Sequence, residues 1–283
     1  MALVTLEEIL KEANEQHYAV PAFDTIDHTS AEAVTEAAEA LNRPVILMYP
    51  EAAFSAANVN TFFPFLRELA GRASVPVALH LDHGQTLKAV MTAIHNGFSS
   101  VMVDGSSLPL EENIAVTRKI VEIAHAADVS VEAEIGHVAG GEGAFDGSDV
   151  DKSMYTRPED AKTFYEATGV DALAVAIGTV HGVYKGVPKL DIDLLEDIKQ
   201  QVKIPLVLHG GSGVSDEEFT KAIQAGINKV NLFTEISMAA VKESIEFAKQ
   251  NNNKLHFANL LGAGKKAVFD IAADYLVKFG KKN

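Results

Sequence analysis

Eight short apolar runs punctuate this chain, at residues 19–23, 44–49, 75–82, 99–104, 130–136, 171–178, 204–210 and 229–233. Several are apolar at every position, as in Ala172-Leu173-Ala174-Val175-Ala176-Ile177. A strand with one wet face alternates. A continuous run suits a strand buried on both faces, as in a parallel sheet. Parallel neighbours need long crossovers, usually helices. Helix-like segments do lie between the runs. Residues 29–41 are Ala-rich, and 86–96 stop before Gly97. Residues 110–127 carry Ile114, Ile120 and Ile123 at helical spacing. Residues 157–168 have Pro158 near the start and Gly169 after the end. Residues 215–225 open Ser215-Asp216-Glu217-Glu218, an N-cap with an acidic first turn, and Gly226 follows. Residues 234–250 and 258–279 complete the set. The last looks like an appended C-terminal helix of the kind that packs on a partner subunit.

Repeated βα units admit an open doubly wound sheet or a closed barrel. Eight units in roughly 240 residues favour the (β/α)8 TIM barrel, an α/β fold. The chain has 283 residues. A prior of about 150 residues per domain would allow two domains, but no linker or low-complexity tract divides it. A single domain over 1–283 is expected.

Composition removes several functions. The chain has no Cys, which excludes disulfides, thiolate-held metals and cysteine nucleophiles. Its 24 basic and 39 acidic side chains leave a net charge of −15, the wrong sign for nonspecific nucleic-acid binding. A local anion site remains compatible with that charge. The longest apolar runs are about 7 residues, against the roughly 20 of a membrane helix. The N-terminal stretch has no basic segment and carries Glu7 and Glu8. It predicts no signal peptide and a cytoplasmic protein.

A barrel gathers the ends of all its strands at one mouth, where catalytic residues sit. His83 follows run three, His181 follows run six, and His209 ends run seven, each beside a glycine. Three imidazoles with an open position can make a catalytic zinc site. Asp82 directly precedes His83. It could act as general acid/base near a metal, or hold a histidine tautomer from behind. Asp104, Glu132 and Glu134 could be auxiliary metal ligands or hydrogen-bonded interior acids. His80 reads as a barrel-interior histidine. Gly210-Gly211-Ser212-Gly213 follows run seven, and Asn231-Leu232-Phe233-Thr234 follows run eight, each just before a helix. Backbone N–H groups there can hold a phosphate. Lys185, near His181, could reach the same anion or be an ordinary exposed lysine. Two long segments, 137–156 and 179–190, follow runs five and six and belong on the mouth.

Together these residues resemble the class II, zinc-dependent ketose-bisphosphate aldolases, nearer the tagatose-bisphosphate branch. The resemblance spans nearly the whole chain. It rests on Leu79-His80-Leu81-Asp82-His83-Gly84, Val131-Glu132-Ala133-Glu134-Ile135-Gly136, the stretch 174–184, Pro205-Leu206-Val207-Leu208-His209-Gly210-Gly211-Ser212-Gly213, and Lys229-Val230-Asn231-Leu232-Phe233-Thr234-Glu235. It implies reversible cleavage of a ketose 1-phosphate or 1,6-bisphosphate to dihydroxyacetone phosphate and an aldehyde. His83, His181 and His209 would hold Zn²⁺, with Asp104 and Glu134 at positions for displaced or additional zinc. Asp82 would be the acid/base at the cleaved bond. Gly182, Lys185, Gly210, Gly211, Ser212, Asn231, Leu232, Phe233 and Thr234 would form the phosphate side. A monovalent cation, Na⁺ or K⁺, and a homodimer or homotetramer are further implications.

The sequence departs from the family pattern in two places. Where the family carries Gly-Gly-x-Glu-Asp, this chain has Gly140-Gly141-Glu142-Gly143-Ala144. Gly143 takes the place of the second acid/base, so Glu142 is expected to substitute, with Asp146 behind it. On the aldehyde side, Asp24 replaces an Asn, Met48-Tyr49-Pro50-Glu51 replaces small hydroxyl residues, and 257–262 replaces an Arg-containing segment. Asp24 or Glu51, if turned inward, would disfavour a second phosphate. The aldehyde fragment could then differ from glyceraldehyde 3-phosphate, and a ketose 1-phosphate would be the substrate. The loss at Gly143 also fits a non-catalytic sugar-phosphate-binding subunit.

Overall fold

The computed structural model describes residues 2–140, 144–145 and 151–281. Eight strands close into one parallel barrel in chain order, with β8 pairing back to β1. They are β1 (Val20–Asp24), β2 (Val45–Pro50), β3 (Val77–Gly84), β4 (Ser100–Val103), β5 (Ser130–Ile135), β6 (Ala172–Val175), β7 (Leu206–Leu208) and β8 (Ile227–Leu232). The helices are α1 (Leu6–Gln16), α2 (His28–Leu41), α3 (Val59–Arg72), α4 (Leu87–His95), α5 (Leu110–His125), α6 (Pro158–Thr168), α7 (Ile192–Gln201), α8 (Asp216–Ala225), α9 (Thr234–Gln250) and α10 (Phe257–Phe279). The expected barrel and its C-terminal helix are therefore present.

Strand side chains alternate between two cores. Phe23, Leu47, Leu79, Val101, Val131, Leu173, Leu206 and Val230 face outward and pack beneath the helices. Val20, Ala22, Ile46, Met48, Ala78, Ala172, Ala174 and Val207 form a separate cluster with α1. Leu6, Ile9, Leu10 and Ala13 of α1 cap that cluster where the strands begin. Asn228 donates to the carbonyls of Ala13 and Tyr18 and fastens α1 there. One end of the barrel is thus stoppered, and the other carries the polar residues.

The helix ends follow the sequence. Thr5 and Glu8 form a capping box on α1, and Ser215 caps α8 through the Glu218 N–H. Pro158 opens α6, and Gly169 closes it at φ 68°. The C-terminal helix lies on α2 and α9 of its own chain and buries Val268, Ala272, Tyr275, Leu276 and Phe279. Among the described residues, no helix is long and apolar enough to cross a membrane.

Candidate active site

Consecutive strand residues normally face opposite ways. Asp82 and His83 escape this because His83 takes a left-handed conformation, φ 44°. Non-glycine residues rarely adopt it, and such strain gathers at functional positions. It turns the His83 ring to the barrel mouth beside Asp82, whose Oδ2 lies 3.8 Å from His83 Nε2.

His181 comes from the segment after β6. That segment is held by a bridge between Ala139 and Val180 and by the His181 N–H on the Ala139 carbonyl at 2.8 Å. His209 follows β7 and is fully buried. The ligand atoms of His83, His181 and His209 all lie within 4.8 Å of one another. His83 Nε2 and His181 Nε2 face each other at 3.1 Å. His209 Nδ1 sits 3.2 Å from Glu134 Oε2, yet it has no hydrogen-bond partner among the described residues.

Carboxylates back these rings. Asp104 accepts from His83 Nδ1 at 2.8 Å and from the Ser106 hydroxyl at 2.7 Å. Glu134 Oε1 accepts from the Val138 N–H at 3.1 Å. His83, Asp104 and Glu134 form a second group with metal-ligand spacing. Glu132 Oε1 accepts from His209 Nε2 at 3.0 Å and lies in an ion pair with the buried Lys229. Burial alone would lower the His83 and His209 pKa values, but the acids outweigh it. Asp82 and the hydrogen bond to Asp104 hold His83 up to about 9. Glu132 and Glu134 hold His209 up to about 10. His181, facing two other imidazoles in a buried setting, is pushed well down. Burial and Lys229 push His80 down to about 3.

These residues fit a divalent cation. Three ring nitrogens converge. His209 Nδ1 and Asp82 Oδ2 are buried without hydrogen-bond partners among the described residues. Asp24, Asp82, Glu132 and Glu134 are each at most 1% exposed, against one fully buried lysine among the described residues, Lys229. A dication would offset that excess of negative charge, and mixed imidazole and carboxylate donors suit Zn²⁺.

The glycine-bearing loops stand beside the rings. Gly182 has φ 80°, and a Cβ there would lie 2.3 Å from the Ala144 carbonyl oxygen. Gly210 has φ 65°, and a Cβ would lie 2.2 Å from the Val180 carbonyl oxygen. Only glycine lets these segments pass so closely. The Tyr184 hydroxyl donates to the Gly210 carbonyl at 2.7 Å and accepts from the Val180 N–H at 3.2 Å, tying two loops together. Nothing in the sequence spacing marks Tyr184 for that task. The Gly211 N–H reaches the Asn231 carbonyl at 3.0 Å, and Ser212 Oγ accepts from the Glu235 N–H at 3.2 Å. Helix α9 begins after Phe233, which offers no side-chain cap. Apart from the Glu235 N–H held by Ser212, its first-turn N–H groups and dipole therefore favour an anion. Thr234 is buried at that start.

Other expected residues are placed differently. Leu232 packs in the outer core, so only its backbone is available at the mouth. Lys185 is exposed on the segment after β6. Asn231 Nδ2 donates to Asp82 Oδ1 at 2.9 Å, a polar partner as well as a loop residue. Glu51 does not face inward: it accepts from the Gln85 and Thr86 N–H groups and from the Thr86 hydroxyl at the start of α4. Asp24 does border the mouth, at the end of a groove between α2, α9 and α10. Glu142, Gly143 and Asp146 lie outside the described residues. Glu132 takes the interior, hydrogen-bonded one of its two expected roles, while Lys229 was not foreseen. The signal was a lysine inside the short apolar run at 229–233.

The fold and the three-imidazole mouth define a (β/α)8 barrel with side chains grouped so that they could hold a metal ion. Comparison with known proteins is more specific. The profile described as "Fructose-bisphosphate aldolase class-II" matches residues 4–283. Fructose-bisphosphate aldolase of Staphylococcus aureus (strain Mu50 / ATCC 700699) is 38% identical, with 100% of this chain and 99% of the relative covered. The crystal structure of the YdjI aldolase from Escherichia coli K12 superposes with a TM-score of 0.87 at 33% identity, over 98% of this chain and 97% of that one. Fructose-bisphosphate aldolase from Campylobacter jejuni shares the fold, with a TM-score of 0.83 at 24% identity over 98% and 95% of the two chains. The chain belongs to the class-II fructose-bisphosphate aldolase family, a family of carbon–carbon lyases.

Proposed function

We propose that this chain is a zinc-dependent aldolase. It cleaves a ketose 1-phosphate or 1,6-bisphosphate reversibly to dihydroxyacetone phosphate and an aldehyde, working as one barrel domain over residues 1–283. The observation that carries this is the convergence of His83, His181 and His209 beside Asp82, whose buried Oδ2 has no hydrogen-bond partner among the described residues. His83 Nε2, His181 Nε2 and His209 Nδ1 would hold the metal. When bound, Zn²⁺ supplies positive charge against the oxygens of the substrate and stabilises negative charge that develops there.

The protein side of the reaction follows. Asp82 takes the proton from the hydroxyl on the carbon that becomes the aldehyde. The carbon–carbon bond breaks as that carbonyl forms, and its electron pair stays on the donor fragment as an enediolate. A second acid then protonates the donor carbon, and Glu142 is assigned that proton. In the synthetic direction both proton transfers reverse. Asn231 holds Asp82 by its other oxygen. Gly182, Gly210, Gly211, Ser212 and the start of α9 at Phe233 and Thr234 would hold the phosphate, with Lys185 at its edge.

The name of the Staphylococcus aureus relative supports a bisphosphate substrate. Asp24 favours a second reading, in which the aldehyde carries no phosphate. The groove that begins at Asp24 has a volume near 420 Å³ and is bordered by Ile26, Phe233, Leu260 and Leu261. Its described lining contains no Lys or Arg. A second phosphate would meet carboxylate and apolar surface there.

Deuterium exchange at the donor carbon of dihydroxyacetone phosphate, read by proton NMR, tests the aldolase reading without any aldehyde. Zinc-dependent exchange is expected. Its absence in zinc-loaded protein would sink the reading and favour a binding subunit. Condensation with glyceraldehyde 3-phosphate against unphosphorylated aldehydes then separates the two substrates.

A further inference from the structure

Lys229 is an unusual residue for its place. It lies on β8, inside the barrel, and is fully buried. Its Nζ stands 2.8 and 3.1 Å from the two oxygens of Glu132 on β5. The same Glu132 accepts from His209 Nε2 at 3.0 Å, and its other oxygen lies 3.8 Å from His80 Nε2. Stability does not explain this pair. A buried ion pair roughly breaks even, and apolar residues of the same volume are often as stable. Its geometry explains it better. A carboxylate only accepts hydrogen bonds. A carboxylate fixed at His209 Nε2 keeps a proton on Nε2, so Nδ1, which lies 3.2 Å from Glu134 Oε2, is the nitrogen left to give its lone pair to an ion at the mouth. His83 is oriented by Asp104 instead, and His181 by the Val138 backbone. His209 is steered by a carboxylate that is itself anchored by a lysine across the barrel.

We infer that Lys229 is a positioning residue for the metal centre: it anchors Glu132, and Glu132 fixes the donor atom of His209. This rests on His209 being a ligand of the proposed zinc. A ring left free to turn would bind the ion more weakly, by the 10–100-fold typical of lost outer partners.

Zinc affinity by chelator competition, together with the visible spectrum of the Co²⁺-loaded protein, tests the inference. The variants are Lys229→Met and the double variant Lys229→Met/Glu132→Gln, which leaves no unpaired charge in the barrel. The double variant is expected to fold, to bind zinc 10–100-fold more weakly than wild type, and to show an altered Co²⁺ spectrum. Wild-type affinity and spectrum in the folded double variant would overturn the inference. A second measurement needs no variant. Nitrogen-15 NMR of the histidines in zinc-loaded wild type should show His209 protonated at Nε2, and a proton on Nδ1 would overturn it equally. A wild-type chain that takes up no zinc would overturn the ligand reading itself, and the inference with it.

Discussion

Asp82 and His83 are chain neighbours that serve one cavity, and the left-handed turn at His83 makes that possible. In the proposed reaction Asp82 moves a proton while the histidines hold the ion, so the two roles separate by mutation. Asp82→Asn keeps the shape and the contact with Asn231 but cannot take the proton. Cleavage kcat should fall roughly 10²–10⁴-fold, with bound zinc, read by atomic absorption, at the wild-type level. A fall of less than tenfold would place the base elsewhere. The three histidines were legible in the sequence because each stands at the end of an apolar run beside glycine. Asp24, too, was legible as a departure. Lys229 was not. A charge inside a strand says that a partner exists, but Glu132 is 97 residues away and only barrel closure brings them together. Glu51 shows the reverse error. It lies in the right stretch to face the aldehyde, yet the open N–H groups at the start of α4 take its carboxylate.

At the scale of elements, eight short apolar runs predicted eight strands, and the barrel has them. Their ends moved where backbone geometry intervened. β7 is three residues long, and the chain turns at Gly210, whose φ is 65°. β3 extends through His83 to Gly84, where a Cβ would lie 2.5 Å from the Met102 carbonyl oxygen. Helices α1, α3 and α7 were not read, although α1 carries the Thr5/Glu8 capping box with Leu6, Ile9, Leu10 and Ala13 at helical spacing, and Asp191 caps α7. Yet α1 is the stopper of the barrel. Leu10→Ala should cost about 2–5 kcal/mol by leaving a cavity among the interior side chains, measured by urea unfolding. A loss below 1 kcal/mol would mean that α1 is dispensable to the core. Helix α7 carries a pH effect. Lys199 Nζ meets the Asn14 side chain at 2.6 Å and the Ile204 carbonyl at 3.0 Å, and its stem covers Gly226. Burial and Lys203 lower its pKa to about 8. The unfolded chain keeps that proton up to about 10.4. Between these values the unfolded state binds more protons, so this group makes stability rise with pH. Lys199→Met should remove that rise. Urea midpoints at pH 7.5 and 9.5 should differ more favourably, toward the higher pH, in wild type than in the variant. Equal differences would sink the assignment.

Across the whole molecule, the proposed ligands come from the end of β3, the segment after β6 and the end of β7, up to 126 positions apart between His83 and His209. An ion held by all three would cross-link distant parts of a barrel that buries four carboxylates, Asp24, Asp82, Glu132 and Glu134, among its described residues. Its removal should therefore destabilise the entire fold rather than one loop. Binding to the folded state alone adds RT ln(1 + [L]/Kd), about 4 kcal/mol at a thousandfold excess over Kd. For a domain of this size 1 kcal/mol moves Tm by roughly 2–4 °C, so stripping zinc with a chelator should lower Tm by about 10 °C. The control is His83→Ala. That variant gives up one ligand, and also leaves Asp104 without its imidazole partner, so its metal-free Tm should sit slightly below that of stripped wild type. Adding zinc should then move it little, while wild type recovers fully. If calorimetry instead showed the same zinc-dependent rise in both proteins, the ion would be bound elsewhere on this acidic chain, and the three-imidazole mouth would have to be read without a metal.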